Sequence, residues 1–303
     1  MSGGAGRMPW LWAVFTVVAS GGQAVRNAMQ KELTATLGTV GATHVRFLFG
    51  LPFALLFLAI VLAATGLPIP ELNAVMIAWT VTATIAQFAA TALLLAVMQE
   101  RSFVVTTAYV KTEPVQVAVF GLAFLGDQVT PGLALAILIA TAGVLIVSWP
   151  RSTSSEVFSW KPAALGIGSG ALFAIAAIGY RGGIRALDTP SFVVAATTTL
   201  VVGLVIQTVM LTAYLVLADR KVLMAIIRAW RPSLFAGFMG AFASQMWYLA
   251  FALETAAKVR TLALVEILFA QAISRNLFKQ SLASREAAGI GLIVVGVVLL
   301  LNL

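Results

Sequence analysis

Any chemistry in this chain has to start from Lys111, Glu113 and Glu266, because these ionisable side chains fall inside stretches that are otherwise apolar. The run Tyr109-Val110-Lys111-Thr112-Glu113-Pro114-Val115-Gln116 lies within a hydrophobic segment reaching from Phe103 to Leu125. An ionisable group at the centre of a membrane-inserted helix costs roughly 2.5–3.5 kcal/mol, so it needs a partner or a wet cavity. Pro114 removes the backbone hydrogen bond to the Val110 carbonyl and predicts a bend at that point. Lys111 and Glu113 are two residues apart and point to opposite sides of a helix, so they cannot pair with each other. Tyr109, Glu113 and Gln116 share one face, and Thr107 and Lys111 share another. Glu266, in a matching later segment, is the natural counter-ion for whichever charge faces inward. Two roles stay open for these groups. One is a salt bridge between Lys111 and Glu266 that only holds helices together, and the other is direct binding of substrate or protons.

Further polar residues join the candidates for substrate binding. Gln23, Arg26 and Asn27 crowd one helical turn. Gln87 and Gln245 precede similar apolar runs and either bind substrate or bridge helices. Trp247 and Tyr248, with Tyr109, offer an aromatic wall, with lipid-belt or core packing as the alternative. Arg181 ends a helix and is expected to snorkel to head groups, while His44 and Arg46 are expected at the interface. Gly166 with Gly170, and Gly240 with Ser244, place small residues four apart and predict close helix packing.

Much chemistry is excluded. The chain has no cysteine and one histidine, which removes disulfides, thiolate sites and multi-histidine metal sites. It has no phosphate loop, no H-E-x-x-H and no G-x-S-x-G elbow. No cofactor, no metal and no enzymatic activity are expected, and the chain has no part for drawing energy from ATP.

These residues need helices to position them. Of 303 residues, 61% are hydrophobic and 10% charged, far from the balance of soluble domains. The net charge of +8 sits in short loops rather than along one face, which argues against nucleic acid. With about 20 apolar residues per crossing as the ruler, helices are expected at 9–28, 41–64, 73–97, 103–125, 131–149, 162–181, 191–217, 233–253, 261–279 and 287–303. The first is read as an uncleaved span rather than a signal peptide. A polar link from Pro150 to Trp160 divides the chain into residues 1–150 and 151–303, each a five-helix repeat. Matched positions relate the halves: Arg26 with Arg181, Gln87 with Gln245, and Lys111 with Glu266 when Gln116 is set against Gln271. An odd number of spans per half inverts the second repeat. The expected fold is therefore an all-α membrane protein of ten transmembrane helices in two inverted five-helix repeats, with its site near the midplane.

Pro114-Val115, Phe120-Gly121, Phe124-Leu125-Gly126-Asp127, Pro131-Gly132 and Gly143-Val144-Leu145-Ile146 form an ordered set. That set resembles the drug/metabolite transporter superfamily, in its EamA-type ten-helix branch. The chain departs from the pattern in carrying Asp127 where glutamate is usual and in lacking a proline in its ninth helix. The resemblance implies secondary transport without ATP, often export of amino acids, related metabolites or drugs. With a lysine and two glutamates near mid-depth, the expected substrate is an amino acid or similar zwitterion, moved by alternating access. A proton-coupled exporter of lipophilic cations is the rival, and a membrane scaffold or membrane-integral enzyme the weaker one. The expected partners are a small-molecule substrate, protons in the rival reading, and the lipid bilayer of the cell membrane, with the chain a monomer or homodimer. Lysine and arginine counts in the loops predict both termini outside, whereas the resemblance implies both inside.

Overall fold

The computed structural model describes residues 9–100, 109–148, 160–269 and 284–303. Eleven α-helices follow in chain order among them: α1 Leu11–Leu48, α2 Leu51–Thr65, α3 Ala74–Glu100, α4 Glu113–Phe120, α5 Pro131–Val147, α6 Trp160–Arg185, α7 Phe192–Ala218, α8 Arg220–Arg228, α9 Trp230–Leu253, α10 Ala256–Leu262 and α11 Ser284–Leu301. Local sequence sets several boundaries. Thr130, Ser191 and Thr255 start α5, α7 and α10 by accepting backbone N–H groups from Leu133, Val194 and Lys258. Gly66, at φ 66°, ends α2 in a left-handed conformation that a side chain would resist.

The expectation of ten transmembrane helices in two inverted five-helix repeats is corrected by this architecture. Among the described residues, six segments are long and apolar enough to cross a membrane: Thr36–Thr65, Ala74–Leu94, Trp160–Arg185, Phe192–Ala218, Trp230–Leu253 and Ser284–Leu301. The reasons are local. No loop separates the first two expected helices; α1 runs on to Leu48 and is interrupted only at Gly38, where φ is 66°. Of the expected 103–125 span, 103–108 lie outside the described residues and the described part holds a shorter apolar helix, Glu113–Leu125; the next, Pro131–Val147, has 17 residues. The expected 261–279 span begins earlier, at Ala256, and tightens into a 3₁₀ turn over Ala263–Val265; its part from 270 onward lies outside the described residues. The chain is a multi-pass membrane protein by these six segments.

The fold divides into two compact units, each built from two separate stretches of the chain. One comprises residues up to Thr84 together with Tyr180–Glu254, and the other Ile85–Gly179 together with Thr255–Leu303. In the first unit α1 lies along α9. A Cβ added at Gly237 would stand 2.5 Å from the Phe49 Cβ, and one at Gly240 would stand 2.9 Å from the Arg46 Cγ, so the two glycines let the helices meet. Leu33, Leu37, Ala42, Val45, Leu215, Ile226 and Ala236 form the buried cluster around that contact. In the second unit α5 crosses α11 at Gly143 and Gly289, above a cluster of Ala140, Val144, Val147, Leu264 and Ile293.

The short helix α8 is absent from the sequence-based expectations. Ile226 is fully buried, while Met224 and Ile227 are half-exposed beside exposed Arg220, Lys221 and Arg228. Asp219 caps its start by accepting from Lys221 N and Val222 N. A basic amphipathic helix of this kind has the pattern of one that lies in the plane of a membrane surface, and the lysine and arginine bias in the sequence predicts the cytoplasmic side for it. A Lys221→Cys protein is therefore expected to react with a membrane-impermeant maleimide only after cells are permeabilised. Equal labelling of intact cells would refute that placement.

Candidate functional site

In the second unit the chain breaks just before α4. Tyr109 and Val110 are helical, Lys111 and Thr112 form a turn, and α4 begins at Glu113 with Pro114 in its first turn. Pro114 therefore opens a helix here and does not bend the middle of one, which corrects the expected kink. The reason is the missing N–H: with no donor for the Val110 carbonyl, a fresh start costs less than a continued helix. Thr112 stabilises the break, its hydroxyl donating to the Tyr109 carbonyl at 2.8 Å. Two glycines of α6 then fit against the broken segment. A Cβ at Gly166 would lie 2.5 Å from the Tyr109 Cβ, and one at Gly170 would lie 3.1 Å from the Val110 carbonyl oxygen. Gln116 reaches back to α6, donating from Nε2 to the Ile167 carbonyl at 3.2 Å.

The broken segment carries two ion pairs. Lys111 Nζ lies 3.5 Å from Glu266 Oε2, each side chain about a fifth exposed at 22% and 19%. Glu113, 5% exposed, is gripped by Arg260 through two parallel bonds, Nε to Oε1 at 2.6 Å and Nη2 to Oε2 at 2.7 Å. That fork-on-fork geometry is the strongest form of the pair. Glu266 also acts electrostatically on Arg260, so the four groups form one network of two positive and two negative charges. The two pairs differ in kind. Glu113–Arg260 is short, bidentate and buried at its acidic end, whereas Lys111–Glu266 is long, single and partly open.

The other expected site residues take separate places. Gln87, also in this second unit, is partly buried in α3, and Thr91 donates to its carbonyl at 2.9 Å. Gln271 and Thr107 lie outside the described residues. In the first unit Gln23 accepts from the Trp247 indole at 3.2 Å, and Trp247 stacks on Phe251 at 6.2 Å. Arg26 is 7% exposed and its Cδ lies 3.8 Å from a Cβ placed at Gly240. Asn27 sits in α1 with its side chain outside the described set. Gln245 donates to Thr197 Oγ1 at 2.9 Å, while its own buried oxygen has no partner among the described residues. Tyr248 is buried against Tyr180, their rings 5.0 Å apart.

Two further arginines and the histidine differ from expectation. Arg181 does not reach outward: it is 9% exposed and donates to the Phe251 and Glu254 carbonyls, closing the C-terminus of α9. His44, expected at the interface, is wholly buried and 3.0 Å from Thr212 Oγ1. Arg46 is partly buried, with its Cζ 5.0 Å from the centre of the Phe47 ring.

Residues 9–149 match the family described as the EamA-like transporter family. They form an EamA-like transporter domain. Members of that family are transporters, not enzymes. No curated protein matches the chain. A solved structure titled only "Crystal structure of protein" shares the fold, with a TM-score of 0.68 at 13% identity over 95% of both chains.

The EamA-like domain holds Lys111 and Glu113, and their partners Arg260 and Glu266 come from beyond it. Arg260 is the residue that sequence reasoning missed, because the ninth helix was started one residue after it. The available signal was Thr255, an N-cap residue three positions before Lys258. Starting the helix there places Arg260 inside it rather than in a loop.

Proposed function

We propose that the chain is a secondary transporter of the cell membrane that exports a small organic metabolite, an amino acid or similar zwitterion, by alternating access. The observation that supports this reading is that two interrupted helical segments, at Lys111–Thr112 and Ala263–Val265, carry four charges that balance to zero. Interrupted helices in transporters are where substrate and ions are held. A zwitterion brings one ammonium and one carboxylate, the same two groups already facing each other at Lys111 and Glu266. It can therefore replace that pair without leaving a charge uncompensated. The long, partly exposed Lys111–Glu266 contact is the one to open, and the bidentate Glu113–Arg260 pair is the fixed support beside it. A proton-coupled exporter of lipophilic cations would need a carboxylate free to release its cation partner; Glu113, held by Arg260, is poorly placed for that role, which leaves Glu266 to carry the rival reading.

The test is counterflow of labelled amino acids in proteoliposomes holding the purified protein. Lys111→Ala and Glu266→Gln are each expected to reduce apparent affinity about tenfold or more, as losing one charged contact of ~1.4 kcal/mol would. Undiminished counterflow in both variants would remove the pair from the site. Loss of pH dependence in Glu266→Gln with affinity intact would favour the cation exporter instead.

A further inference from the structure

We propose that Arg46 anchors a binding site for a small singly charged anion, a carboxylate or a halide, in the unit built from residues up to Thr84 and Tyr180–Glu254. Its residues belong to a different unit from those of the four-charge network, and the inference does not depend on the transport reading. The argument begins with what Arg46 lacks. Its Nε is buried with no hydrogen-bond acceptor, and among the described residues no carboxylate pairs with it. The described acidic side chains of this unit are committed elsewhere or face outward: Glu71, Asp188 and Asp219 are exposed, and Glu254 follows the end of α9. The titratable groups that act on Arg46 are two phenols, Tyr180 and Tyr248, which carry hydroxyls and no carboxylate.

An arginine cannot shed its proton to escape burial. A partly buried guanidinium whose Nε has no acceptor is costly without an opposite charge nearby, so the arrangement favours any anion able to reach it. The surroundings are built with donors. Tyr180 and Tyr248 are each 6% exposed and hydrogen-bonded to one another, and Gln207 Nε2 donates to the Tyr180 oxygen at 2.9 Å. Two glycines let these side chains pack close to neighbouring helices. A Cβ at Gly240 would come within 2.9 Å of the Arg46 Cγ, and one at Gly203 within 3.0 Å of the Tyr248 hydroxyl. Gly240 also brings the stem of Arg26, a second buried arginine, to 3.8 Å. Two guanidinium stems flanking one glycine raise the local positive potential, and the half-buried state of Arg46 leaves a way in. A guanidinium fork with phenol donors beside it suits the two oxygens of a carboxylate, and the same donors serve a chloride ion.

Thermal unfolding of the purified full chain in a low-salt zwitterionic buffer tests this, titrated separately with sodium chloride and sodium acetate. Wild-type protein is expected to melt about 5 °C higher when one of these anions is near a hundred times its dissociation constant. Arg46→Gln is expected to melt no lower than wild type without anion and to lose the anion-dependent rise. Response to chloride alone identifies a halide site, and response to acetate a carboxylate site open to organic acids. Absence of a rise with both anions, or an equal rise in Arg46→Gln, would overturn the proposal. Should Arg46→Gln fail to fold, Tyr248→Phe decides: it keeps the ring and is expected to weaken anion affinity about fivefold, and unchanged affinity counts against the site.

Discussion

Glu113→Ala is expected to lower the melting temperature of the purified protein by roughly 10 °C, corresponding to a loss of about 3–5 kcal/mol. The cost does not measure the worth of the ion pair. Removing one partner strands the other, and Arg260 would keep its charge beside Glu266 with its fork unfilled. Arg260→Ala should cost a similar amount, because it strands a carboxylate that is only 5% exposed. The double variant Glu113→Leu with Arg260→Met replaces both charges by apolar groups of similar bulk, and it should recover most of the loss. Strong non-additivity is the expected signature, since the two side chains share two short hydrogen bonds. Costs that simply add in the double variant would show that the groups act apart. The same cycle on Lys111 and Glu266 should give a coupling below about 1 kcal/mol, as befits a partly exposed pair at 3.5 Å. That contrast separates a fixed structural pair from one loose enough to exchange with substrate.

How far the sequence foretold these pairs depends on what kind of information each required. The intrusion of Lys111, Glu113 and Glu266 into apolar runs is plain in the sequence, and setting one half of the chain on the other offers Glu266 as counter-ion to an inward-facing charge, with the Lys111–Glu266 bridge one of the roles left open. The partner of Glu113 could not be found that way. Arg260 sits 147 residues away, in a stretch where lysine and arginine looked like loop charges, and only a helix starting at Ala256 brings it inward. Helix boundaries were legible where a cap residue or proline marks them, as at Thr130-Pro131, Ser191 and Gly66. They were not legible where glycine merely permits a break, as at Gly38, because the same residue is tolerated inside a helix. Hydropathy also counts crossings without knowing where a segment stops being helical, which is why ten apolar runs did not become ten long helices. His44 and Arg46 show the converse difficulty. A polar residue near the end of an apolar run reads as interfacial, and only tertiary packing reveals that His44 is buried against Thr212 of α7 and Arg46 partly buried.

Gly289→Ala is expected to cost about 3 kcal/mol, the upper part of the range for overpacking, although it adds a single methyl group. The reason lies in what that methyl would strike. At Gly289 a Cβ would stand 2.7 Å from the Gly143 carbonyl oxygen and 3.0 Å from the Val147 amide nitrogen, and at Gly143 it would stand 2.6 Å from the Gly289 carbonyl oxygen. These are backbone atoms that no rotamer change can move aside, so α5 and α11 would have to separate along the crossing. Separation would also spoil the contact a helical turn or two away, where a Cβ at Gly296 would already lie 2.7 Å from the Ala140 nitrogen. Dispersion falls off within an ångström of extra gap, so the packing of Val144 and Ile293 beneath would weaken with it. The control lies two residues along the same helix. Gly291 has nothing within 4 Å of its Cβ position, and Gly291→Ala should therefore stabilise by up to about 1 kcal/mol through helix propensity alone. Opposite signs at Gly289 and Gly291, measured by thermal unfolding in one detergent, would establish close backbone contact as the force joining α5 to α11. Matching signs would mean that the two helices hold together by some other means.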